Sequence, residues 1–277
     1  MAATDLLVII VAVIFSRLLA IYFPGSLINT TTGCRLIILL VYASRNCSVW
    51  LTVAFTFDRF ITICYQKLRT EYCTEKVASF IIAIVCVLCC SVNIPFYFIY
   101  EPLYTIDSVG WYCNIKEIFY TSVVWRLLET LDRIQTPCLP FVLILLLNAL
   151  TVRHIIVAGR SRRRLRSHSN ENNQRDTEME SRRKSIILLF AISGSFLLLW
   201  LTYIVYFLLV KISGARFLIG SNLNDPKFIL QESGYMLQLL SSCTNTCIYA
   251  VTQTKFRGQL KDAFNYLSKL VTKCHKQ

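Results

Sequence analysis

The stretch LTVAFTFDRFITIC (51–64) ends a long apolar segment that decides the fold. This segment covers residues 35–65 and carries the charged pair Asp58 and Arg59 close to its end. A transmembrane helix needs about 20 predominantly apolar residues, so the segment is longer than one plain span. We expect a membrane helix whose ends project into water, with Asp58 and Arg59 at one membrane surface.

Further apolar segments, each close to the length of a membrane span, lie on both sides of this one. They cover residues 4–23, 77–100, 134–157, 186–211 and 228–251. Hydrophobic residues make up 55% of the chain and charged residues 16%, whereas soluble domains carry about 25% charged residues. The sequence therefore predicts an all-α membrane protein, with one transmembrane domain over residues 1–253 and a tail over 254–277.

Positive charge is concentrated in two parts of the chain. The net charge is +13, and Arg and Lys cluster in residues 153–184 and in the tail. An excess of Lys and Arg marks the cytosolic side of a membrane, so we expect loop 158–185 and the C-terminus in the cytosol. A basic chain could also bind nucleic acid, but the apolar segments explain the charge better, and we expect no nucleic-acid partner. The connections expected outside are 24–33, 101–125 and 212–227.

The connections expected outside carry two features of extracellular segments. Asn29, Thr30 and Thr31 form an N-glycosylation sequon, which predicts a glycan on Asn29. Cys34 and Cys113 lie outside the centres of the spans on the same side, where the environment is oxidising. We therefore predict a Cys34–Cys113 disulfide, with two free thiols as the alternative.

The C-terminal tail is predicted to contact the membrane, and the histidines give no sign of a catalytic site. Residues 254–270 place apolar side chains on one helical face, which indicates a short amphipathic helix on lipid, and Cys274 is a candidate for palmitoylation. The three histidines lie in cytosolic segments without metal-ligand spacing, and we expect neither an enzyme nor a catalytic cofactor. A six-span transporter or channel is an alternative, although a transporter predicts paired internal repeats, which we do not find.

Several motifs resemble those of rhodopsin-like (class A) G-protein-coupled receptors. Asp58-Arg59-Phe60 resembles the Asp-Arg-Tyr signature of that family, and Cys34 lies at the family's spacing upstream of it. FLLLW (196–200), NTCIY (245–249) and TKFRGQL (254–260) resemble motifs of the family's sixth, seventh and eighth helices. The resemblance implies a plasma-membrane receptor that transduces an extracellular small-molecule or peptide ligand to a heterotrimeric G protein.

Other parts of the sequence resemble one branch of this family and predict that its first transmembrane helix is missing. ASRNCSVWLTVAFTFDRF (43–60) and RRKSIILLFAISGSF (182–196) look like the orphan branch that contains probable G-protein coupled receptor 139, which implies Gq coupling. AATDLL (2–7) resembles the start of the family's second helix, so we expect a class A receptor helical bundle with six of seven transmembrane helices. A truncated, non-signalling receptor fragment is then a further alternative; if the chain is such a fragment, we expect weak or no signalling from it alone.

The resemblance also assigns roles to residues inside the bundle. It implies that Asp5 is the intramembrane acid of a sodium site. The other members of that site are Ser48, Ser241, Ser242 and Asn245. The residues implied in G-protein coupling and switching are Asp58, Arg59, Phe60, Asn245 and Tyr249.

Arg45 marks the predicted ligand pocket. An arginine inside the membrane faces the bundle interior and needs a partner, and Asp132 opens the fifth helix at a similar depth. We predict an Arg45–Asp132 pair, whose two charge signs suit a zwitterionic amino acid or a short peptide. An internal salt bridge without a role in ligand binding is the alternative. The other residues predicted to line this pocket are Tyr42, Trp200, Tyr203, Phe207, Glu232, Tyr235 and Gln238.

Overall fold

The computed structural model describes most of the chain. The described residues are 2–65, 68, 71–165, 173–213, 226–252, 257–258, 261–262 and 265–266. We number the helices in chain order. The first three are α1 (Ala2–Tyr22, π-helical over Ile10–Leu19), α2 (Thr31–Cys64) and α3 (Glu75–Asn93, which continues as a 3₁₀-helix over Ile94–Ile99).

The remaining helices complete the bundle. Helix α4 is the short segment Glu117–Thr121, and α5 runs as Val123–Arg133, π-helical Ile134–Cys138 and Leu139–Leu165. Helices α6 and α7 are Asn173–Ser213 and Pro226–Thr252. The described residues thus form the all-α bundle that the sequence predicts.

Helix α2 is the central element of the bundle. Its 34 residues give a length of about 51 Å at 1.5 Å per residue, which exceeds a hydrocarbon core of about 30 Å. The Thr30 side chain caps its first turn by accepting a hydrogen bond from the Gly33 amide at 3.2 Å. Helices α1, α3, α5 and α6 all pack against it, so residues on several faces of α2 are buried.

Five of the described helices are long and apolar enough to cross a membrane. They are Ala2–Tyr22, Thr31–Cys64, Glu75–Ile99, Val123–Ala158 and Arg183–Val210. Helix α7 is not one of them, although the sequence predicts a span over 228–251. It carries many polar side chains, and Gln238, Ser241 and Asn245 among them are buried in the bundle.

Two predicted boundaries differ from the observed ones. The helix predicted over 134–157 already begins at Val123, because the π-helical turn Ile134–Cys138 accommodates Pro137 without ending the helix. The loop predicted over 158–185 is shorter, since the backbone is helical to Leu165 and again from Asn173. The extension over 158–165 contains four arginines and that over 173–185 contains Arg and Glu, all good helix formers, and neither contains proline.

A small β-structure covers one end of the bundle. The strands are β1 (Tyr100–Glu101), β2 (Tyr104–Ile106), β3 (Val109–Trp111) and β4 (Asn114–Ile115). Strand β1 pairs with β4 and β2 with β3, both antiparallel. A bridge between Thr30 and Trp111 places this hairpin beside the start of α2. At the other end of α2, the Tyr65 ring lies 6.1 Å from the ring of His154.

Candidate functional site

Asp5 lies in a polar cluster inside the bundle. Its side chain is 1% exposed although it belongs to the first turns of α1. The Ser48 hydroxyl donates a hydrogen bond to Asp5 Oδ1 at 2.5 Å, and Asn245 Nδ2 donates one to Asp5 Oδ2 at 3.4 Å. Helices α1, α2 and α7 therefore meet at this carboxylate, in the register that the sequence predicts.

A cavity of about 20 Å³ adjoins this cluster, and roughly 10–15 Å³ is enough for one water molecule. On the side of Asp5 its lining includes Ser48, Ser241, Ser242 and Asn245. On the other side its lining includes Arg45, Trp200, Tyr235 and Gln238. The predicted sodium site and part of the predicted ligand pocket thus share one space.

Arg45 and Asp132 do not form the predicted ion pair. The Arg45 guanidinium lies over the Tyr42 ring, 4.8 Å from its centroid. Asp132 is 8% exposed, and its Oδ1 lies 3.3 Å from the Thr136 hydroxyl, which is also 2.9 Å from Asn46 Oδ1. The prediction of a pair is wrong because Thr136 on α5 and Tyr42 on α2 hold the two charges separately.

The two charges nevertheless lie around one aromatic group. The Tyr42 hydroxyl is within electrostatic range of Arg45, Arg133 and Asp132. The Trp200 ring contacts Tyr203 edge to face at 6.3 Å. Five of the residues predicted for the pocket do not line the cavity: Tyr42, Asp132, Tyr203, Glu232 and Phe207, of which Phe207 is buried on α6.

Two arginines that the pocket prediction omitted pair with acids. Arg133 donates to Glu129 at 3.1 Å and to the Tyr203 hydroxyl at 2.6 Å. Arg17 pairs with Glu232 at 3.2 Å and lies 5.2 Å from the Tyr235 ring centroid. Arg17 is the single base of the predicted span 4–23, so a search for an acid at matching depth could have identified Glu232 as its partner.

The charged pair at the far end of α2 is intact. Arg59 Nη2 lies 2.9 Å from Asp58 Oδ2, and the Arg59 guanidinium lies 5.3 Å from the Phe55 ring centroid. Phe60 makes an edge-to-face contact with Tyr65 at 5.7 Å. Two predicted residues, Tyr249 and Cys274, have side chains outside the described part of the chain.

A model of one protein family matches nearly all of this bundle. The family is described as 7 transmembrane receptor (rhodopsin family), and the match covers residues 1–249. The chain belongs to this family. Rhodopsin-family receptors are multi-pass membrane proteins that respond to ligands and signal through G proteins, and they are not enzymes. Membership therefore favours the receptor over the transporter or channel.

The disulfide of this rhodopsin-family receptor joins α2 to the β-hairpin. Cys34 and Cys113 are bonded, with Cα atoms 6.2 Å apart, which lies within the usual range for disulfides. Tyr112 donates its amide to the Asn29 carbonyl at 2.7 Å in the same region. The predicted pairing of the two cysteines is confirmed.

The predicted glycosylation site of the receptor has a structural role instead. Asn29 is 3% exposed, and its Nδ2 donates to the carbonyls of Phe23 at 3.0 Å and Pro24 at 3.1 Å. Thr31, the third residue of the sequon, is 7% exposed and donates to the Tyr112 carbonyl at 2.9 Å. A glycan on Asn29 would have to displace these contacts, because its attachment atom is buried and hydrogen-bonded.

Proposed function

We propose that this receptor recognises a small extracellular ligand with one negative and one positive group, such as a free amino acid or a short peptide, and couples it to Gq. The observation that supports this ligand class is the state of Arg45 and Asp132. Neither side chain has an ion-pair partner among the described residues. The charges have opposite signs and lie on neighbouring helices, α2 and α5.

The energetic reasoning follows from burial. A charge inside a membrane protein is costly unless it is paired or hydrogen-bonded, and the Arg45 Nε is buried without a hydrogen-bond partner. A ligand carboxylate near Arg45 and a ligand ammonium near Asp132 would supply both missing partners. The rings of Tyr42, Trp200 and Tyr203 surround this region and suit the apolar part of such a ligand.

The charged groups nearer the β-hairpin end are less suited to this role. Glu129 is paired with Arg133, and Glu232 with Arg17. A ligand that used these groups would first have to break an existing pair, which reduces the net gain. Arg45 and Asp132 require no such exchange.

Coupling to the G protein is proposed to involve Asp58, Arg59 and Phe60. The partly exposed Asp58–Arg59 contact is a charge-assisted pair that a rearrangement can exchange for a contact with a partner. The resemblance to the orphan branch supports Gq as that partner. The basic residues of 153–184 support a cytosolic position for this end of the bundle and for the C-terminus, and the receptor class supports the plasma membrane.

Asp5 and its neighbours fit a sodium ion. Asn245 Oδ1 is buried without a hydrogen-bond partner, and the hydroxyls of Ser241 and Ser242 belong to buried residues beside the same cavity. Hard cations prefer such oxygen ligands. Asp5, Ser48, Ser241, Ser242 and Asn245 would hold the ion, whose charge would compensate the buried carboxylate.

The test compares ligands that differ only in charge, in cells that express the receptor. The cells are exposed to a panel of free amino acids and dipeptides, to the matching amides and to the matching decarboxylated amines, and inositol phosphate is measured. We expect responses to panel members with both charges, and at least tenfold weaker potency when either charge is removed, the loss for a charged hydrogen bond. Arg45→Gln should abolish the preference for ligands with a carboxylate, and Asp132→Asn should abolish the preference for ligands with an ammonium group. Equal potency of the zwitterions and their amides would refute the proposed ligand class.

A further inference from the structure

The inner end of the pocket contains polar atoms that no protein group satisfies. Gln238 is 4% exposed, and both its Nε2 and its Oε1 are buried without a hydrogen-bond partner. The Arg45 Nε is in the same state, and both side chains line the cavity of about 20 Å³. Native proteins rarely leave several such atoms unsatisfied at one place, so this space is suited to a polar guest.

The unsatisfied atoms favour an anionic guest. The guanidinium of Arg45 is a permanent cation with several N–H donors in one plane, and it lies 4.8 Å from the centroid of the Tyr42 ring. Gln238 adds the N–H donors of its amide from α7. Donors from two helices that converge on one space match the two oxygens of a carboxylate.

We propose that Arg45 and Gln238 form a subsite for the carboxylate of the ligand. This inference rests on the proposed function, because the ligand is the same molecule. Arg45 donates to one or both carboxylate oxygens, and Gln238 Nε2 donates to one of them. Gln238 Oε1 accepts from a water molecule or a ligand N–H.

The size of the cavity sets the orientation of the ligand. A volume of about 20 Å³ exceeds the roughly 10–15 Å³ that one water molecule needs, so it admits a small polar group such as a carboxylate and excludes a large side chain. Only the carboxylate enters, and the remainder of the ligand extends towards Tyr42 and Tyr203. Arg45 lies three residues before Ser48 on α2, so the bound carboxylate lies about one helical turn from the Asp5 cluster.

The test measures binding directly on purified receptor and does not depend on signalling. The probes are 3-phenylpropionate, which carries only the carboxylate, the neutral 3-phenylpropionamide and the cationic 2-phenylethylamine. Thermal unfolding is followed at increasing concentrations of each. We expect 3-phenylpropionate to raise the Tm of the receptor and the amide to do so only at concentrations at least tenfold higher, the difference made by charge-assisted hydrogen bonds.

Three variants localise the effect. Gln238→Glu places a carboxylate beside Arg45 within the protein, and we expect it to abolish the response to 3-phenylpropionate. Arg45→Lys keeps the charge but loses the planar fork of donors, and we expect an affinity about tenfold lower. The matched control is Gln231→Glu on the same helix. Gln231 does not line the cavity, and its Oε1 accepts a hydrogen bond from the Tyr206 hydroxyl at 2.8 Å. This control should keep the full response.

Two outcomes would overturn the subsite. A response to the carboxylate that Gln238→Glu leaves unchanged would show that the probe binds elsewhere. Equal responses of the unmodified receptor to the acid and the amide would show that Arg45 and Gln238 do not recognise the carboxylate. If amino acids signal but the acid alone fails to bind, the ligand class stands and the subsite is wrong. If the acid binds through Arg45 but no amino acid or peptide signals, the subsite stands and the ligand class is wrong.

Discussion

Ser48 donates a hydrogen bond to Asp5 at 2.5 Å, and this contact links the start of α1 to the middle of the central helix. Asn245 completes the link from α7 through the other carboxylate oxygen. An acid in the membrane interior is retained only with partners that offset its burial. A cation bound at Asp5 would therefore affect the packing of α1, α2 and α7.

Removing the charge of Asp5 should remove the effect of sodium on stability. We expect the purified receptor to be more thermally stable in NaCl than in choline chloride, by about 2.7 kcal/mol if sodium is at a hundredfold excess over its Kd. Asp5→Asn should unfold at the same temperature in both salts, because the amide no longer attracts the ion. Asp107→Asn, in the exposed turn between β2 and β3, is the matched control and should keep the difference. A sodium effect of equal size in Asp5→Asn would place the ion elsewhere.

The Asp58–Arg59 pair should restrain the resting receptor. Asp58→Asn removes the charge with little change in shape, and the loss of a partly exposed pair is about 0.5–1 kcal/mol. We expect roughly a two- to fivefold rise in ligand-independent nucleotide exchange on the G protein. Glu75→Gln, at an exposed acid in the first turn of α3, is the control. Basal exchange that stays unchanged in Asp58→Asn would mean that Arg59 is held by other contacts.

Asn29 should be unglycosylated in the folded receptor. Peptide mapping by mass spectrometry should find the unmodified residue, and treatment with a glycosidase should leave its mass unchanged. Asn29→Ala should lower stability by about 1 kcal/mol, because the carbonyls of Phe23 and Pro24 at the end of α1 lose their side-chain donor. An intact glycan on Asn29 in folded, thermally stable receptor would contradict the observed packing.

Replacing either cysteine of the disulfide should cause the same loss of stability. Cys34→Ser and Cys113→Ser should each cost about 2–5 kcal/mol and lower surface expression. The double variant should be no worse than either single one, since both changes remove the same bond. Cys90→Ser, at an exposed free thiol of α3, should have little effect. Additive losses in the double variant would indicate separate roles for Cys34 and Cys113.

The contacts that could be predicted from the sequence are those in which a residue type requires a particular kind of partner. A buried acid requires polar groups at matching depth, so the register of Asp5, Ser48 and Asn245 could be predicted once the helices were aligned to the receptor family. The disulfide was predictable in the same way, because Cys34 lies at the outer start of a span and Cys113 lies in the connection on the same side. Helix bounds were less predictable at Pro137, where a π-helical turn replaces a break.

The remaining errors concern side-chain packing that sequence patterns do not encode. A sequon is a linear motif, and nothing in it reveals that Asn29 caps the end of α1 while Thr31 binds Tyr112. Opposite charges at similar depth suggested that Arg45 and Asp132 would pair. Tyr42 and Thr136 hold them apart instead, through contacts between residues one helical turn apart on the same helix.

The most direct test of the receptor function uses purified components. The receptor is placed in lipid nanodiscs with purified Gq, and nucleotide exchange is measured with and without the amino-acid and dipeptide panel. We predict exchange that increases with a zwitterionic member of the panel and is lost in Arg59→Ala, while the ligand-dependent rise in Tm persists in that variant. If panel members raise the Tm but none accelerates nucleotide exchange on Gq or any other heterotrimeric G protein, ligand-driven G-protein activation by this chain is contradicted.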